Sequence, residues 1–492
     1  MKLPGIDALL ASGGDERIVL DARGVNRYGQ GLVPDMREWA FGSSTASTIS
    51  ADVRESVAGF HARLDAGIRE RSPDRVYGRE MERLREDFLS LCGFSDTSCP
   101  ELVFAPSGTD LHLYAAHLMA DASLLAITVE APETGSGVAD AIRGRHFATR
   151  TASGQSVTRG TPASADLHVK HIGVHARTPG GDLRPETQVE AEIDHHIARA
   201  AAAGQSVLLV VADISKTGLI SPGLASVMRL RARWGERLHV MIDACQFRLS
   251  MRSLRAYVAQ GFPVAVTGSK FLGGPAFSGV LLCPPSLAKI WRHRELPDAL
   301  SAYGTCAEWP QGWAGRRAMR GTTNFGLLLR WRAALHELQA FHALPEATIR
   351  HVTRTFAAAI EERLRLSRLL EPLPTRPLDR ACLLACGGWD DHATIFPFLL
   401  QEAASTEQVY RELAKGAGGA APVRLGQPVP VGQREGVPIS ALRLCFSARL
   451  AVEAARSPLS LQAVVNRALG ALDETARLAD EIRPARALSR VS

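Results

Sequence analysis

The 492-residue sequence lacks the features that mark several large classes of protein. No stretch reaches the roughly 18 apolar residues that a membrane-spanning helix needs. Its Lys and Arg residues are dispersed, without a block of like charges or an interleaved aromatic stripe, so the net charge of +6 alone does not indicate nucleic-acid binding. The N-terminus has no apolar run long enough for a signal peptide. We therefore expect a cytoplasmic protein that binds neither membrane nor nucleic acid.

The eight cysteines lack the CxxC spacing of a zinc site, and the sequence predicts no metal centre. Most of them lie in apolar segments, as expected of small buried hydrophobic residues in a reducing compartment. With 46% hydrophobic and 22% charged residues, the composition is that of an ordinary globular protein. The length predicts two or three domains.

Short apolar runs alternate with helical patterns between about residues 100 and 285. Several runs are continuously apolar, which is typical of strands covered on both faces. The predicted strands are Leu102–Ala105, Leu124–Val129, Leu167–Ile172, Val207–Ile214, Leu238–Ile242, Pro263–Thr267 and Val280–Cys283. The predicted helices between them are Asp110–Ala120, Pro185–Ala203, Leu224–Trp234 and Ser253–Gln260. This alternation predicts an α/β fold, with a mainly parallel seven-stranded sheet in a large domain over 51–325.

The pattern changes after about residue 325. The predicted elements there are helices Gly326–Leu344, Ala347–Leu370, Glu407–Ala414 and Leu461–Ile482, and strands Ala381–Cys386, Thr394–Phe398, Val423–Leu425 and Ala441–Phe446. The Pro- and Gly-rich stretch Gly416–Pro438 is predicted to be the main loop region. We expect a smaller α+β domain over 326–492, and an N-terminal segment over 1–50 that lies near the mouth of the active site.

A lysine directly follows one of the buried strands. Thr267-Gly268-Ser269-Lys270 ends the strand and enters a glycine-rich turn. The carboxyl ends of parallel strands border the crevice in which such sheets bind ligands. A partly buried lysine amine at that place can form a Schiff base. A lone lysine at a strand end is more often a plain surface residue, so this interpretation depends on the motifs around it.

An acid and an anion-binding turn are predicted at the same edge of the sheet. Asp243 ends a strand, where it could pair with a protonated pyridine nitrogen or cap a helix, and Gln246 could bond a phenolic oxygen of the same ring. Ser107-Gly108-Thr109 lies between a strand and a helix. Its backbone N–H groups and hydroxyls suit a phosphate, although Ser and Thr are also plain helix caps.

In this order, the motifs resemble the class V aminotransferase and cysteine desulfurase-like branch of fold type I pyridoxal-phosphate-dependent enzymes. Asp243-Ala-Cys-Gln246 is similar to the family's D-x-x-Q/H motif, and Thr267-Gly-Ser-Lys270 to its S-x-H-K motif. The resemblance implies pyridoxal 5'-phosphate as the cofactor and Lys270 and Asp243 as catalytic residues. It also implies phosphate contacts from Thr267 and Ser269, although Ser269 stands where the family usually has histidine.

Three further motifs extend the resemblance. Ser215-Lys-Thr-Gly218 is similar to the S-x-x-T-G element beside the ring, with one residue fewer between Ser and Thr here, which implies a cofactor contact from Ser215. Arg320-Gly-Thr322 resembles an R-x-G-T turn, one residue shorter here, through which Thr322 would reach the cofactor of a neighbouring subunit, and this implies a homodimer with shared active sites. Arg443 resembles the arginine that grips the substrate α-carboxylate, a group matched by its planar fork.

The motifs point to a cofactor more strongly than to a reaction. D-x-x-Q is commoner in the lyase-like members of the family, so the resemblance favours a Cα/Cβ lyase reaction on an amino acid, either β-elimination or C–S cleavage. A class V aminotransferase is the alternative, and a non-catalytic protein that kept the fold is a further one. A desulfurase would also need a mobile cysteine, and Cys306 is the only loop cysteine expected near the site, so a persulfide mechanism is not favoured.

Two places stay open. The family usually has a histidine or an aromatic residue over the ring, just after the strand that ends near Val129. This sequence has Glu130, Glu133 and Thr134 there, so an acid contacts the cofactor or substrate, Thr134 covers the ring, or the acids are solvated loop residues. Near the N-terminus, Arg27 and Tyr28 either bind a second acidic group of the substrate or belong to an ordinary turn.

Overall fold

A computed structural model of the chain describes residues 2–33, 37–42, 49–95, 99–120, 123–130, 132–165, 167–321, 323–401, 405–416 and 421–482. Thr322, for which a contact to a neighbouring subunit's cofactor is predicted, lies outside these residues. No helix among the described residues is both long and apolar enough to cross a bilayer.

The helices and strands of the described residues are numbered here in chain order. The helices are α1 Ile6–Leu10, α2 Ala51–Glu70, α3 Pro73–Leu91, α4 Gly108–Met119, α5 Val138–Ile142, α6 Glu186–Ala202, α7 Leu224–Trp234, α8 Met251–Ala259, α9 Pro285–Trp291, α10 Phe325–His342, α11 Glu346–Leu366, α12 Thr406–Lys415, α13 Ala448–Ala454 and α14 Pro458–Glu481. The strands are β1 Trp39–Phe41, β2 Glu101–Ala105, β3 Leu124–Val129, β4 Val169–Val174, β5 Ser206–Asp213, β6 Ile220–Ser221, β7 Leu238–Ala244, β8 Val264–Thr267, β9 Gly279–Cys283, β10 Leu370–Pro372, β11 Ile395–Leu400, β12 Val423–Arg434 and β13 Val437–Cys445.

The larger sheet has the strand order β2-β9-β8-β7-β5-β3-β4, and the short β6 pairs with the end of β5. β9 runs antiparallel to both of its neighbours, while β3, β4, β5, β7 and β8 pair in parallel. Every residue of β3 and β8 is buried, because helices cover both faces of the sheet. The predicted mainly parallel α/β sheet is therefore confirmed, with strand bounds that differ from the predicted ones by at most two residues.

Helices α2 and α3 precede the sheet and were not predicted from the sequence. Each begins at a serine N-cap, because Ser50 accepts a hydrogen bond from Val53 N and Ser72 accepts one from Arg75 N. Both helices pack against α10, the first long helix after residue 325. These contacts join the segment before the large sheet to the C-terminal part of the chain.

The second sheet has the order β1-β12-β13-β11-β10, so the N-terminal strand β1 pairs with a strand from the C-terminal region. The predicted loop over Gly416–Pro438 is wrong, because most of it forms the hairpin of β12 and β13. Its prolines and glycines are tolerated because the register is irregular there and because β12 pairs with β1 over only three residues. The hairpin turns at Glu435 and Gly436, which both have positive φ.

The predicted strand Ala381–Cys386 is also wrong. Ala381–Leu383 forms a single turn of 3-10 helix, and Leu384 follows in the left-handed conformation with a largely exposed side chain. Cys382 and Cys386 are exposed, so they are not small buried hydrophobic residues as expected. Cys92, Cys245, Cys283 and Cys445 are buried, Cys99 is half-buried, and Cys306 is exposed. The division of the chain near residue 325 stays a prediction.

Candidate active site

The predicted site residues come from four strand ends of the large sheet. Asp243 lies in the last part of β7, Lys270 follows β8 by three residues, and Ser107-Gly108-Thr109 connects β2 to α4. Ser215 follows β5 by two residues. β5, β7 and β8 run parallel, so their carboxyl ends share one edge of the sheet, where α/β sheets bind their ligands. Lys270 is half-buried at this edge.

The start of α4 packs tightly against the ends of β7 and β8. A Cβ atom on Gly108 would lie 2.6 Å from Cys245 Sγ and 3.2 Å from Thr267 Cγ2, so only glycine fits there. Ser107 caps the helix by accepting from Asp110 N at 3.3 Å, and its hydroxyl donates to Asp110 Oδ2. Thr109 is buried beside it. Backbone N–H groups of a helix N-terminus thus lie next to Thr267, in an arrangement suited to an anion.

Asp243 is buried and has a partner that the sequence did not suggest. His112, one turn into α4, places its Nε2 atom 3.3 Å from Asp243 Oδ2, and the other carboxylate oxygen accepts from Cys245 N at 3.1 Å. Burial alone would raise the pKa of Asp243. The neighbouring His112 and the charge of Lys270 outweigh that effect and hold the pKa well below its usual range. The site therefore contains a buried carboxylate that stays ionised.

Gln246 and Thr267 lie beside this carboxylate. The Gln246 side chain is buried, and its Oε1 atom makes no hydrogen bond with any part of the chain that the structure describes. An unbonded buried amide oxygen is costly, which indicates a place for a donor from a ligand. The hydroxyl of Thr267 donates to the carbonyl of Cys245 at 2.6 Å, and Ser269 is buried next to it.

Glu133 organises the loop that follows β5. Its carboxylate accepts from the hydroxyls of Ser215 and Thr217, each at 2.7 Å, and Arg177 Nε lies 3.1 Å from it. The Ser215 hydroxyl also accepts from Leu219 N. Both Glu133 oxygens thus hold protein groups, and this buried acid is not the solvated loop residue that was one of the alternatives.

The other two candidates after β3 are placed differently. Glu130 is partly exposed and lies 3.6 Å from His175 Nε2, at the periphery of the loop. Thr134 is buried, and the glycines that follow it pack against Thr109 at the start of α4. That Thr134 covers a ring bound at the strand ends stays a prediction.

Arg443 reaches the same region from β13 of the second sheet. Its guanidinium is buried and donates to the carbonyl of Gln427 at 2.8 Å and to the carbonyl of Lys216 at 3.4 Å. The loop after β5 and the second sheet therefore meet at Arg443. Lys216, between Ser215 and Thr217 in that loop, is half-buried and was not singled out from the sequence.

Arg27, Tyr28 and Gln427 line a cavity of about 830 Å³. Arg150, Tyr410 and Arg424 also contribute to its wall. Arg424 pairs with Glu38 at 2.8 Å, so the cavity combines residues from the N-terminal segment with β12. Of the predicted substrate residues, Arg27 and Tyr28 line this cavity, and Arg443 donates to the carbonyl of Gln427, another residue of its wall.

Two predicted features are exposed to solvent. Arg320 is largely exposed and pairs with Asp298 at 2.8 Å. Cys306 is exposed and begins a turn of 3-10 helix, Cys306–Glu308. Among the described residues, no group of three His, Cys, Asp or Glu side chains is placed to hold a metal ion.

Comparisons with known proteins define the fold. No family model and no curated protein matches the sequence. A solved cystine C–S lyase, C-DES, in complex with its product cysteine persulfide is similar at a TM-score of 0.55 and 14% identity over 87% of this chain and 97% of the lyase. The chain has the type I fold of pyridoxal-phosphate-dependent enzymes.

Two other solved enzymes share this type I fold. A cysteine desulfurase from Thermococcus onnurineus NA1 has a TM-score of 0.54 and 14% identity, over 89% of this chain and 94% of that enzyme. A serine palmitoyltransferase from S. paucimobilis, solved with bound PLP and myriocin, has a TM-score of 0.51 and 12% identity over 96% of both chains. The predicted fold class is therefore confirmed. At these identities the likeness concerns the fold and not the reaction.

Proposed function

We propose that the protein is a pyridoxal-phosphate-dependent enzyme that acts on an amino acid as a Cα/Cβ lyase. The observation that carries this proposal is the pairing of Lys270 with an ionised, buried Asp243 at one sheet edge, beside the start of α4. Each part matches one functional group of pyridoxal 5'-phosphate. A fold shared with enzymes that use this cofactor supports the same assignment.

The residues present fit the cofactor. Asp243 is an ionised acid that would face the protonated ring nitrogen. The buried side-chain amide of Gln246, whose Oε1 atom has no hydrogen-bond partner among the described residues, would bond the phenolic oxygen of the ring. The phosphate would be held at the start of α4 by Ser107, Gly108 and Thr109, with Thr267 and Ser269 opposite. Lys270 would hold the cofactor through its amine. When bound, the cofactor supplies an electron sink for the bond that breaks at the substrate α-carbon.

The chain's own groups would do the remaining work. Lys270 would move a proton at the α-carbon, since a half-buried amine at the strand ends can act as base and acid. Arg443 would bind the α-carboxylate and so set which α-bond faces the ring. Because Arg443 is buried and also held by the Gln427 carbonyl, its guanidinium is already oriented before substrate arrives. The cavity lined by Arg27 and Tyr28 would admit the substrate side chain.

The lyase reaction is favoured over transamination by the pairing of Asp243 with Gln246 and supported by the C–S lyase among the similar structures. A persulfide mechanism stays disfavoured. Cys306, the loop cysteine expected near the site, begins a turn of 3-10 helix that Thr305 and Glu308 cap, and Cys245 is buried against Gly108, where burial raises the pKa of its thiol. We also propose a homodimer with shared active sites, in which Arg320-Gly321-Thr322 would face the neighbouring subunit, and a cytoplasmic location.

The visible spectrum tests the cofactor assignment first. We expect the purified protein, supplied with pyridoxal phosphate, to show an absorbance band at about 420 nm that Lys270→Ala abolishes. Lys289→Ala, at an exposed lysine of α9, is the matched control and should keep the band. Absence of the band from the unaltered protein would contradict the proposal.

Product analysis then separates the reactions. Addition of an amino acid with a leaving group on its β-carbon should release ammonia and a keto acid together in a single half-reaction. Accumulation of the amino form of the cofactor, with keto acid but no ammonia, would instead identify an aminotransferase. A protein that binds the cofactor and releases nothing with any amino acid would be a binding protein that kept the fold.

A further inference from the structure

Lys216 is fixed in place by its own backbone on the side of the site where the substrate is proposed to bind. Its N–H donates to the carbonyl of Glu133 at 2.9 Å, and its carbonyl accepts from Arg443 Nη1 at 3.4 Å. The residues on either side of it, Ser215 and Thr217, are both bonded to the Glu133 carboxylate. The loop therefore holds Lys216 next to the arginine that would grip the substrate.

The surroundings of Lys216 favour loss of its proton. Burial is the main cause, and the nearby positive charges of Arg443 and Lys270 add to it, so the pKa of Lys216 falls to about 8. Glu133 opposes this shift, although its carboxylate is shared with Arg177 and two hydroxyls. A lysine of this kind can give up a proton near neutral pH, which an arginine cannot.

The composition of the chain makes this position unusual. The sequence has only six lysines among its 57 basic residues, at positions 2, 170, 216, 270, 289 and 415. Two of the six, Lys216 and Lys270, lie at one edge of one sheet. Elsewhere the chain uses arginine almost throughout for positive charge, as in the buried Arg248, Arg330 and Arg380. The edge of the large sheet that carries Lys216 and Lys270 therefore differs from the rest of the chain, because its positive charges are amines that can lose a proton.

Resting on the lyase function proposed above, we propose that Lys216 is the general acid that protonates the group leaving from the substrate β-carbon. Lys270 takes the proton from the α-carbon, and the electron pair of that C–H bond forms the Cα–Cβ double bond. The bond from Cβ to the leaving group breaks, and its electron pair departs with that group. The proton of Lys216 joins the departing group, and solvent returns a proton to the neutral amine. Water then converts the released unsaturated amino acid into a keto acid and ammonia.

A series of leaving groups tests this role in the cofactor-loaded protein. β-Chloroalanine loses chloride, which needs no proton, whereas S-phenylcysteine and S-methylcysteine lose increasingly basic thiolates. We expect Lys216→Met to lower kcat by about 100-fold or more with S-methylcysteine and by only a few-fold with β-chloroalanine. Lys216→Arg keeps the charge but not a transferable proton, so it should show the same pattern. Lys289→Met, at an exposed site, should match the unaltered protein.

The outcomes separate this inference from the function on which it rests. If the unaltered protein releases no keto acid from any of the three substrates, the lyase proposal and this inference both fail. Suppose instead that the unaltered protein eliminates normally, but that Lys216→Met lowers kcat by the same factor for all three substrates, or that Lys216→Arg has the kcat of the unaltered protein. Either result would mean that Lys216 serves only as a charge, and the inference alone would be overturned.

Titration of the lysine itself gives a readout that does not depend on turnover. With so few lysines, ¹³C-methylation of the cofactor-loaded protein should give resolvable signals, and the signal absent from Lys216→Met should titrate near pH 8. The rate with S-methylcysteine should fall as pH rises through the same value, while the rate with β-chloroalanine should not follow it. A Lys216 signal that titrates with the exposed lysines would overturn the proposal.

Discussion

At the scale of single residues, the pair of Asp243 and His112 shows what spacing alone leaves undetermined. Asp243 could be predicted because it ends an apolar strand, but nothing in Leu111–Leu113 marks His112 as its partner. The contact arises because α4 packs over the ends of β7 and β8, which brings two positions far apart in the sequence to 3.3 Å. His112 Nδ1 bonds the carbonyl of Gly108 at 2.8 Å, so its ring is held with Nε2 toward the acid.

We predict that His112→Ala weakens cofactor binding by about 10- to 100-fold. A charged contact of this kind contributes about 1.5–3 kcal/mol, and its loss would leave burial less opposed, so the pKa of Asp243 would rise from its lowered value. Fluorescence titration of the cofactor-free protein with pyridoxal phosphate measures the change. His117→Ala, at a buried histidine of the same helix that has no contact with Asp243, controls for the cavity left behind. Equal affinities in the two variants would contradict a specific role for His112.

At the scale of secondary-structure elements, continuous apolar strands were predictable and the hairpin was not. β3, β5 and β7 are covered on both faces, so their sequences carry the signal of the buried parallel strand without interruption. β12 instead tolerates Gly426, Pro430 and Gly432 because its register shifts at those places. The proline and glycine content of Gly416–Pro438 predicted a loop, whereas pairing with distant strands makes most of this segment β-structure.

The start of α4 allows a direct test at this scale. We expect Gly108→Ala to destabilise the protein by about 1–3 kcal/mol and to weaken cofactor binding. The new Cβ would lie 2.6 Å from Cys245 Sγ, so the start of α4 would have to move away from the ends of β7 and β8. Gly78→Ala on α3 is the matched control, because nothing lies within 4 Å of its Cβ and alanine favours a helix. Urea unfolding with and without pyridoxal phosphate compares them. A Gly108→Ala protein as stable as the control would show that α4 does not need this close approach.

At the scale of the whole molecule, buried acids connect parts of the chain that lie far apart in sequence. Glu308 is fully buried and accepts hydrogen bonds from the Tyr77 hydroxyl of α3 and from Thr305 N, each at 2.8 Å. Burial is the main cause that raises its pKa to about 7, against hydrogen bonds that lower it. Folding therefore favours the protonated form of this residue.

The sign of the pH dependence follows from that shift. Because the folded pKa of Glu308 exceeds its unfolded value, its contribution to stability is complete below about pH 4.5 and is lost as pH rises through about 7. At about 1.4 kcal/mol for each pKa unit, a shift from 4.5 to about 7 corresponds to a loss on the order of 3 kcal/mol. We expect the urea midpoint of the unaltered protein to decrease as pH is raised from 5 to 8, and that of Glu308→Gln to decrease less.

Asp110, whose pKa burial also raises to about 7, remains in both proteins, so the difference between the two curves of urea midpoint against pH isolates Glu308. Parallel curves would mean that Glu308 does not change its protonation on folding.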